Sequence, residues 1–233
     1  NKYATIKITA AILQIHPGNI YHSKRQFKPA TTNPATNIFS TYDGGQNLPV
    51  KAPWNIYHIK DYDSDAAIVG ETLSYNWGPD LQKPTYSYMK GDMTDAYSDK
   101  VESVQRSFMF FNFNDEEYPA ALLIFDNVRS ASTTFKKTWL LHSQEEPVIE
   151  GNNVTIARDT IDYDGRIINT TLMPTNGFTT EKVGGPGYEF YVNGINYEMK
   201  SKSKEAEVGN WRIEISPTKA EKQSYFLNVL QIG

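Results

Sequence analysis

From Ile68 onward the chain keeps returning to one pattern: a short run of alternating apolar and polar residues, cut off by Gly, Pro, Asn or Asp before it can lengthen. Alternation with a period of two sends successive side chains to opposite faces of a strand. A helix would need apolar residues three and four apart over a longer window, and such spacing is scarce here. Many short strands with turns between them fold as a sandwich or a barrel. The expected fold is all-β, an antiparallel β-sandwich.

The strands can be read one at a time. Ile68 to Trp77 alternates in part and stops at Gly78-Pro79, and Thr85 to Met89 puts Tyr86 and Tyr88 on one face. Asp99 to Phe113 sets Val101, Ser103 and Gln105 against Val104, Phe108 and Phe110. Ala120 to Phe125 is apolar throughout and is bounded by Asp126-Asn127, which reads as a core strand covered on both faces. Phe135 to Pro147 opens as a strand, with Trp139 and Leu141 on one face and Thr138 and Leu140 on the other. It turns polar at His142, Ser143, Gln144, Glu145 and Glu146, and Pro147 stops regular pairing. Trp139, Leu141, Leu122, Ile124 and Phe125 are the expected core, and Glu145 and Glu146 are expected to accept backbone amides at the bend. Val154 to Ala157 and Ile167 to Leu172 flank the hairpin signal Asp162-Tyr163-Asp164-Gly165. Asn193-Gly194 makes another hairpin after Glu189 to Val192, and Asn210 to Ile215 and Ser224 to Leu230 complete the set.

The first part of the chain is different. Residues 4–15 read as one or two strands, and His16-Pro17-Gly18-Asn19 as a turn. Residues 23–53 hold Pro29, Pro34, Pro49 and Pro53 among many Thr and Asn, so a long irregular segment is expected, with a turn at Asp43-Gly44-Gly45-Gln46. The expected organisation is a main sandwich over residues 1–147 and a smaller C-terminal β unit over 148–233, packed on it.

Composition narrows the partners. The 233 residues carry a net charge of −4, so no basic surplus suggests nucleic acid. No run approaches the roughly 20 apolar residues of a membrane helix. The absence of cysteine excludes a disulfide framework and a thiolate metal site. Asn1 begins without a charged and apolar leader, as a mature secreted chain or a cut piece would.

Several stretches resemble the β-sandwich part of heparinase II/III-type polysaccharide lyases. They are Trp139-Leu-Leu-His-Ser-Gln-Glu-Glu-Pro147, Gly184-Gly-Pro-Gly-Tyr-Glu-Phe190, Gly209-Asn-Trp-Arg-Ile-Glu-Ile215, and Lys90-Gly-Asp-Met-Thr-Asp-Ala-Tyr97 followed by Arg106-Ser-Phe108. The resemblance runs from about Asp43 to the C-terminus. It implies a supersandwich-like fold with a smaller sheet unit after it, a bacterial periplasmic or secreted location, and an acidic polysaccharide or oligosaccharide as partner. It also implies a helical toroid as a second domain, which these 233 residues do not contain.

Such lyases cleave by β-elimination, which needs a base, an acid and neutralisation of the uronate carboxylate. The toroid supplies a Tyr, and the sandwich supplies a His from an Ala-His-Asn stretch. That stretch matches Ile8 to Pro17 here, where Thr9-Ala10 stand in place of the His-Asn pair. The chain alone is therefore expected to be inert, and His16 and His22 read as loop histidines. The alternative is a stand-alone carbohydrate-binding or accessory module.

Aromatics crowd residues 54–88: Trp54, Tyr57, Tyr62, Tyr75, Trp77, Tyr86 and Tyr88. Their faces can stack on sugar rings or pack across strands. Trp54, Tyr57, Trp77, Tyr86 and Tyr88, with Lys24 and Arg25 for anionic groups, are the candidate carbohydrate contacts. Family members can hold a metal in the sandwich, so Asp43 and His142 are the candidate ligands of a structural zinc or calcium. Gly184-Gly185-Pro186-Gly187 lacks phosphate-loop spacing and reads as a turn.

Overall fold

The computed structural model describes residues 9–16, 71–94, 97, 100–160, 163–192, 194–197 and 210–233. They form fourteen strands and no α-helix. The strands are β1 (Thr9–His16), β2 (Glu71–Gly78), β3 (Tyr86–Asp92), β4 (Val101–Asn112), β5 (Ala120–Ser130), β6 (Lys136–Ser143) and β7 (Val148–Glu150). They continue as β8 (Asn153–Thr160), β9 (Tyr163–Met173), β10 (Phe178–Gly184), β11 (Tyr191–Val192), β12 (Ile195–Asn196), β13 (Trp211–Pro217) and β14 (Gln223–Ile232). No helix among the described residues is long and apolar enough to cross a membrane.

Pairing is antiparallel throughout the described strands. A large sheet has the order β2-β3-β4-β5-β14-β9-β8-β7, a smaller one β1-β6-β13-β10, and β11-β12 form a two-stranded piece. Short links carry β5 to β6, β13 to β14 and β9 to β10. Each link steps between the large sheet and the four-stranded one, so β6, β13 and β10 lie over β5, β14 and β9. The core fills the gap. Ile124, Val128, Phe226, Leu230 and Ile167 of the large sheet meet Trp139, Leu141, Ile213 and Ile215 of the small one. The expected antiparallel sandwich with a smaller sheet unit is the fold found.

The details depart from the alternation in instructive places. Val101 was grouped with the polar face of its strand but is 3% exposed and in the core. The register of β4 on β5 shifts between Val101 and Ser103, and a bulge of that kind turns a side chain to the other face. The apolar run at 120–125 belongs to a longer strand, β5, which carries on through Asp126-Asn127. Asp126 is fully buried because Arg106 pairs with it, Nε to Oδ1 at 2.6 Å and Nη2 to Oδ2 at 2.9 Å. Ile124 is in the core and Leu122 packs against it, as expected. Phe125 is not in that layer, because it faces the other side of the sheet with Leu123.

Strand β6 is buried on both faces, Thr138, Leu140 and His142 as deeply as Trp139 and Leu141. Thr138 Oγ1 and Ser216 Oγ satisfy each other at 2.8 Å across β6 and β13. Glu145 and Glu146 accept from cationic side chains, Arg158 Nε at 2.5 Å and Lys182 Nζ at 2.6 Å, rather than from backbone amides. Both expected hairpins form, as β8-β9 and β11-β12, but the first pairs as far as Thr160 and Tyr163. Asp164 and Gly165 are therefore strand residues. Strands from either side of residue 147 share both sheets: β14 lies between β5 and β9, and β13 between β6 and β10.

Candidate functional site

An antiparallel sheet with one face on the core normally presents a polar second face. On the large sheet that face is mixed. Strand β5 is apolar at both parities, so Ile124 points inward while Leu123 and Phe125 point out. Register extends this outward face sideways. Phe125 stands opposite Ser107 on β4 and Leu227 on β14, and Ser107 stands opposite Lys90 on β3. Leu123 stands opposite Met109 and Val229, and Met109 opposite Tyr88. Asn127 stands opposite Gln105 and Tyr225. Apart from Val229 and Tyr225, which stand beside it on β14, these residues bound a groove of about 400 Å³.

Two features give the groove its chemistry. Phe125 and Tyr225 stack with ring centroids 6.0 Å apart and planes 11° apart, and Tyr225 is 46% exposed, which leaves an aromatic platform open to solvent. Beside it the lining is mixed. Tyr88 bonds through its hydroxyl to Ser107 and Ser74, and these bonds, with the charge of Lys90, hold its phenol below the ordinary pKa. Lys90 is the one charged residue of the lining. Next to the groove, burial works to raise the Asp92 carboxyl, but bonds from the Thr94 side chain and amide, and from Gln105, bring it below the ordinary range. Gln105 Nε2 reaches Asp92 Oδ2 at 3.3 Å, and Gln223 Nε2 donates to Asn127 Oδ1. The groove thus offers apolar area, side-chain amides and hydroxyls, and one cation.

The aromatic cluster read from the sequence is divided by the pleat. Tyr86 and Tyr88 share the outward face, as their spacing implied. Trp77 stands opposite Ser87, so it lies on the other face of the sheet, where it stacks on Tyr75 at 5.8 Å. Trp54, Tyr57, Tyr62, Lys24, Arg25, Lys28, His22, His58 and Asp43 lie outside the described residues. Thr9, Ala10 and His16 lie on β1, of which the backbone pairing is described, with Thr9 across from His142. His142 is 2% exposed and stands opposite Arg212. Among the described residues no three His, Cys, Asp or Glu side chains gather as a metal site would require. Sequence reasoning passed over Lys90, Gln105, Phe125, Asn127, Tyr225 and Leu227. The signal for them was the double parity of Ala120 to Phe125, which marks a strand with an apolar side to spare.

No family model matches the chain, and no curated protein does. Among solved structures it is similar in part to a mutant of the heparan sulfate lyase HepC from Pedobacter heparinus. The identity is 12% and the TM-score 0.43, over 70% of this chain and 21% of that one. This chain spans about a fifth of that lyase's length. A likeness of that size leaves function to be argued from the groove itself.

Proposed function

We propose that this chain binds uronic-acid-containing polysaccharide on the outer face of its large sheet. It serves the degradation of such polymers as the β-sandwich portion of a heparinase II/III-like lyase, in a bacterial periplasmic or secreted setting. The supporting observation is the groove: a solvent-open aromatic pair, Phe125 and Tyr225, on the same face as a lone cation, Lys90. Sugar rings present a CH face that stacks on aromatics, and a uronate needs a cationic partner.

The lining does not favour cleavage by the sandwich alone. β-Elimination needs a base, an acid and a group that neutralises the uronate carboxylate, whereas the lining offers two titratable residues, Tyr88 and Lys90. The stand-alone accessory module remains the second reading, favoured by a groove built wholly from neighbouring strands of one sheet. The test is titration of the purified chain with heparin, heparan sulfate, chondroitin and alginate at low salt, with ultraviolet absorbance followed for the unsaturated uronate product. Binding without product is expected. Failure to bind any of the four removes the proposal.

A further inference from the structure

The groove's registry says how a polymer would lie in it. Lys90, Ser107, Phe125 and Leu227 are direct cross-strand partners on β3, β4, β5 and β14, so they form one row at right angles to the strands. Gln105, Asn127 and Tyr225 form a parallel row on one side, and Tyr88, Met109 and Leu123 one on the other. Neighbouring strands are about 4.8 Å apart, close to the length of one pyranose unit in an extended chain. A glycan laid along the central row therefore meets a new strand with each ring. The row does not stop at the groove. It continues to Ser74 on β2, and β9 and β8 follow β14 on the other side.

We infer that the groove holds an internal stretch of an anionic polysaccharide crosswise to the strands, about one sugar per strand from β3 to β14, with a carboxylate at Lys90 and a ring stacked on Phe125 and Tyr225. This rests on the binding function proposed above and adds its direction, its length and its selectivity. The occupant is anionic because the lining's one charge is positive, on a chain whose net charge is −4. Among the described residues Lys90 makes no ion pair, so its ammonium is available to a ligand, although its field also reaches Asp92. The polymer passes through rather than ending in the site because the sheet extends past both ends of the row.

The test uses the full chain and uronic-acid oligosaccharides of graded length, with carboxyl-reduced counterparts and versions capped at the reducing end. Affinity should rise with length to about four units, one per strand at that spacing, then level off, and capping should not change it. Lys90→Gln should weaken the uronate ligand about tenfold, the effect of one lost charged contact, and leave the carboxyl-reduced ligand unchanged. Tyr225→Ala should weaken both forms alike, by about tenfold. An unchanged far-UV spectrum and denaturant midpoint would show that each variant is folded. Full affinity in the shortest oligosaccharide, or sensitivity to capping, would overturn the crosswise internal mode while leaving the binding function intact. Binding that survives both substitutions and is lost in Trp77→Ala would overturn both the mode and the proposed face, by moving the site to the opposite side of the sheet. No binding by any oligosaccharide would sink the function itself.

Discussion

At the scale of single residues, the group with most at stake inside the sandwich is the Arg106–Asp126 pair, 6% and 0% exposed. Removing one partner of a buried pair leaves the other charge without compensation, which costs about 3–5 kcal/mol, whereas replacing both with apolar residues is often neutral. Arg106→Met should therefore lower the denaturant midpoint sharply, and Arg106→Met with Asp126→Leu should recover much of the loss. A midpoint unchanged in the single variant would mean the pair is not buried as described. Tyr97 lies against the same pair. Burial pushes its phenol up to about 12, Arg106 opposing and Asp126 assisting. A phenol whose folded pKa lies above its unfolded value near 10 keeps its proton in the fold after losing it in the unfolded chain. Its contribution is complete below pH of about 10 and is lost as pH rises toward about 12. Stability should fall over that window, and Tyr97→Phe should flatten the fall. An identical alkaline limb in the variant would assign the effect elsewhere.

At the scale of elements, β6 is the strand on which both layers depend. Trp139 is fully buried, and truncating such a side chain typically costs about 3–5 kcal/mol. Trp139→Ala should show that loss in urea, and a wild-type midpoint would put Trp139 on the surface. The turn into β11 carries a second constraint. Gly185 has φ +81°, and a Cβ there would come within 2.5 Å of the Trp211 ring, which also takes Lys182 Nζ over its face at 5.3 Å. Gly185→Ala should therefore destabilise the protein and shift the near-UV signal of Trp211; a silent substitution would show that the ring can move aside. Elements of this kind were legible in the sequence wherever alternation and turn chemistry agreed: Trp139 and Leu141 against Thr138 and Leu140, or Asn193-Gly194. They were not legible where a bulge broke the period at Val101, or where a buried carboxylate, Asp126, looked like a strand end. Both depend on a neighbouring strand, which local pattern does not contain. The groove was half legible for the same reason. Tyr86 and Tyr88 stood out by spacing, but Phe125 and Tyr225 meet only because β14 pairs with β5 across nearly a hundred residues of chain.

At the scale of the whole molecule, the described residues form strands and no α-helix, so the far-UV circular dichroism should be that of a β-protein. Helix above roughly a third, the ordinary share in globular proteins, would refute the fold. Many of the pairings join strands far apart in sequence, among them β5-β14, β14-β9, β6-β13 and β13-β10, and topologies rich in such contacts fold slowly. The most consequential placement is β14, last of the described strands in sequence and central in the large sheet between β5 and β9. While the protein is being synthesised, the ribosome has delivered thirteen of the described strands before the one that joins the two halves of this sheet exists. Until residues 223–232 emerge, β5 and β9 each present a bare edge of amides and carbonyls, the surface on which strands of other chains nucleate. Nascent copies on one message carry the same bare edges close together, so the hazard for this sheet in a cell ends with one strand's arrival.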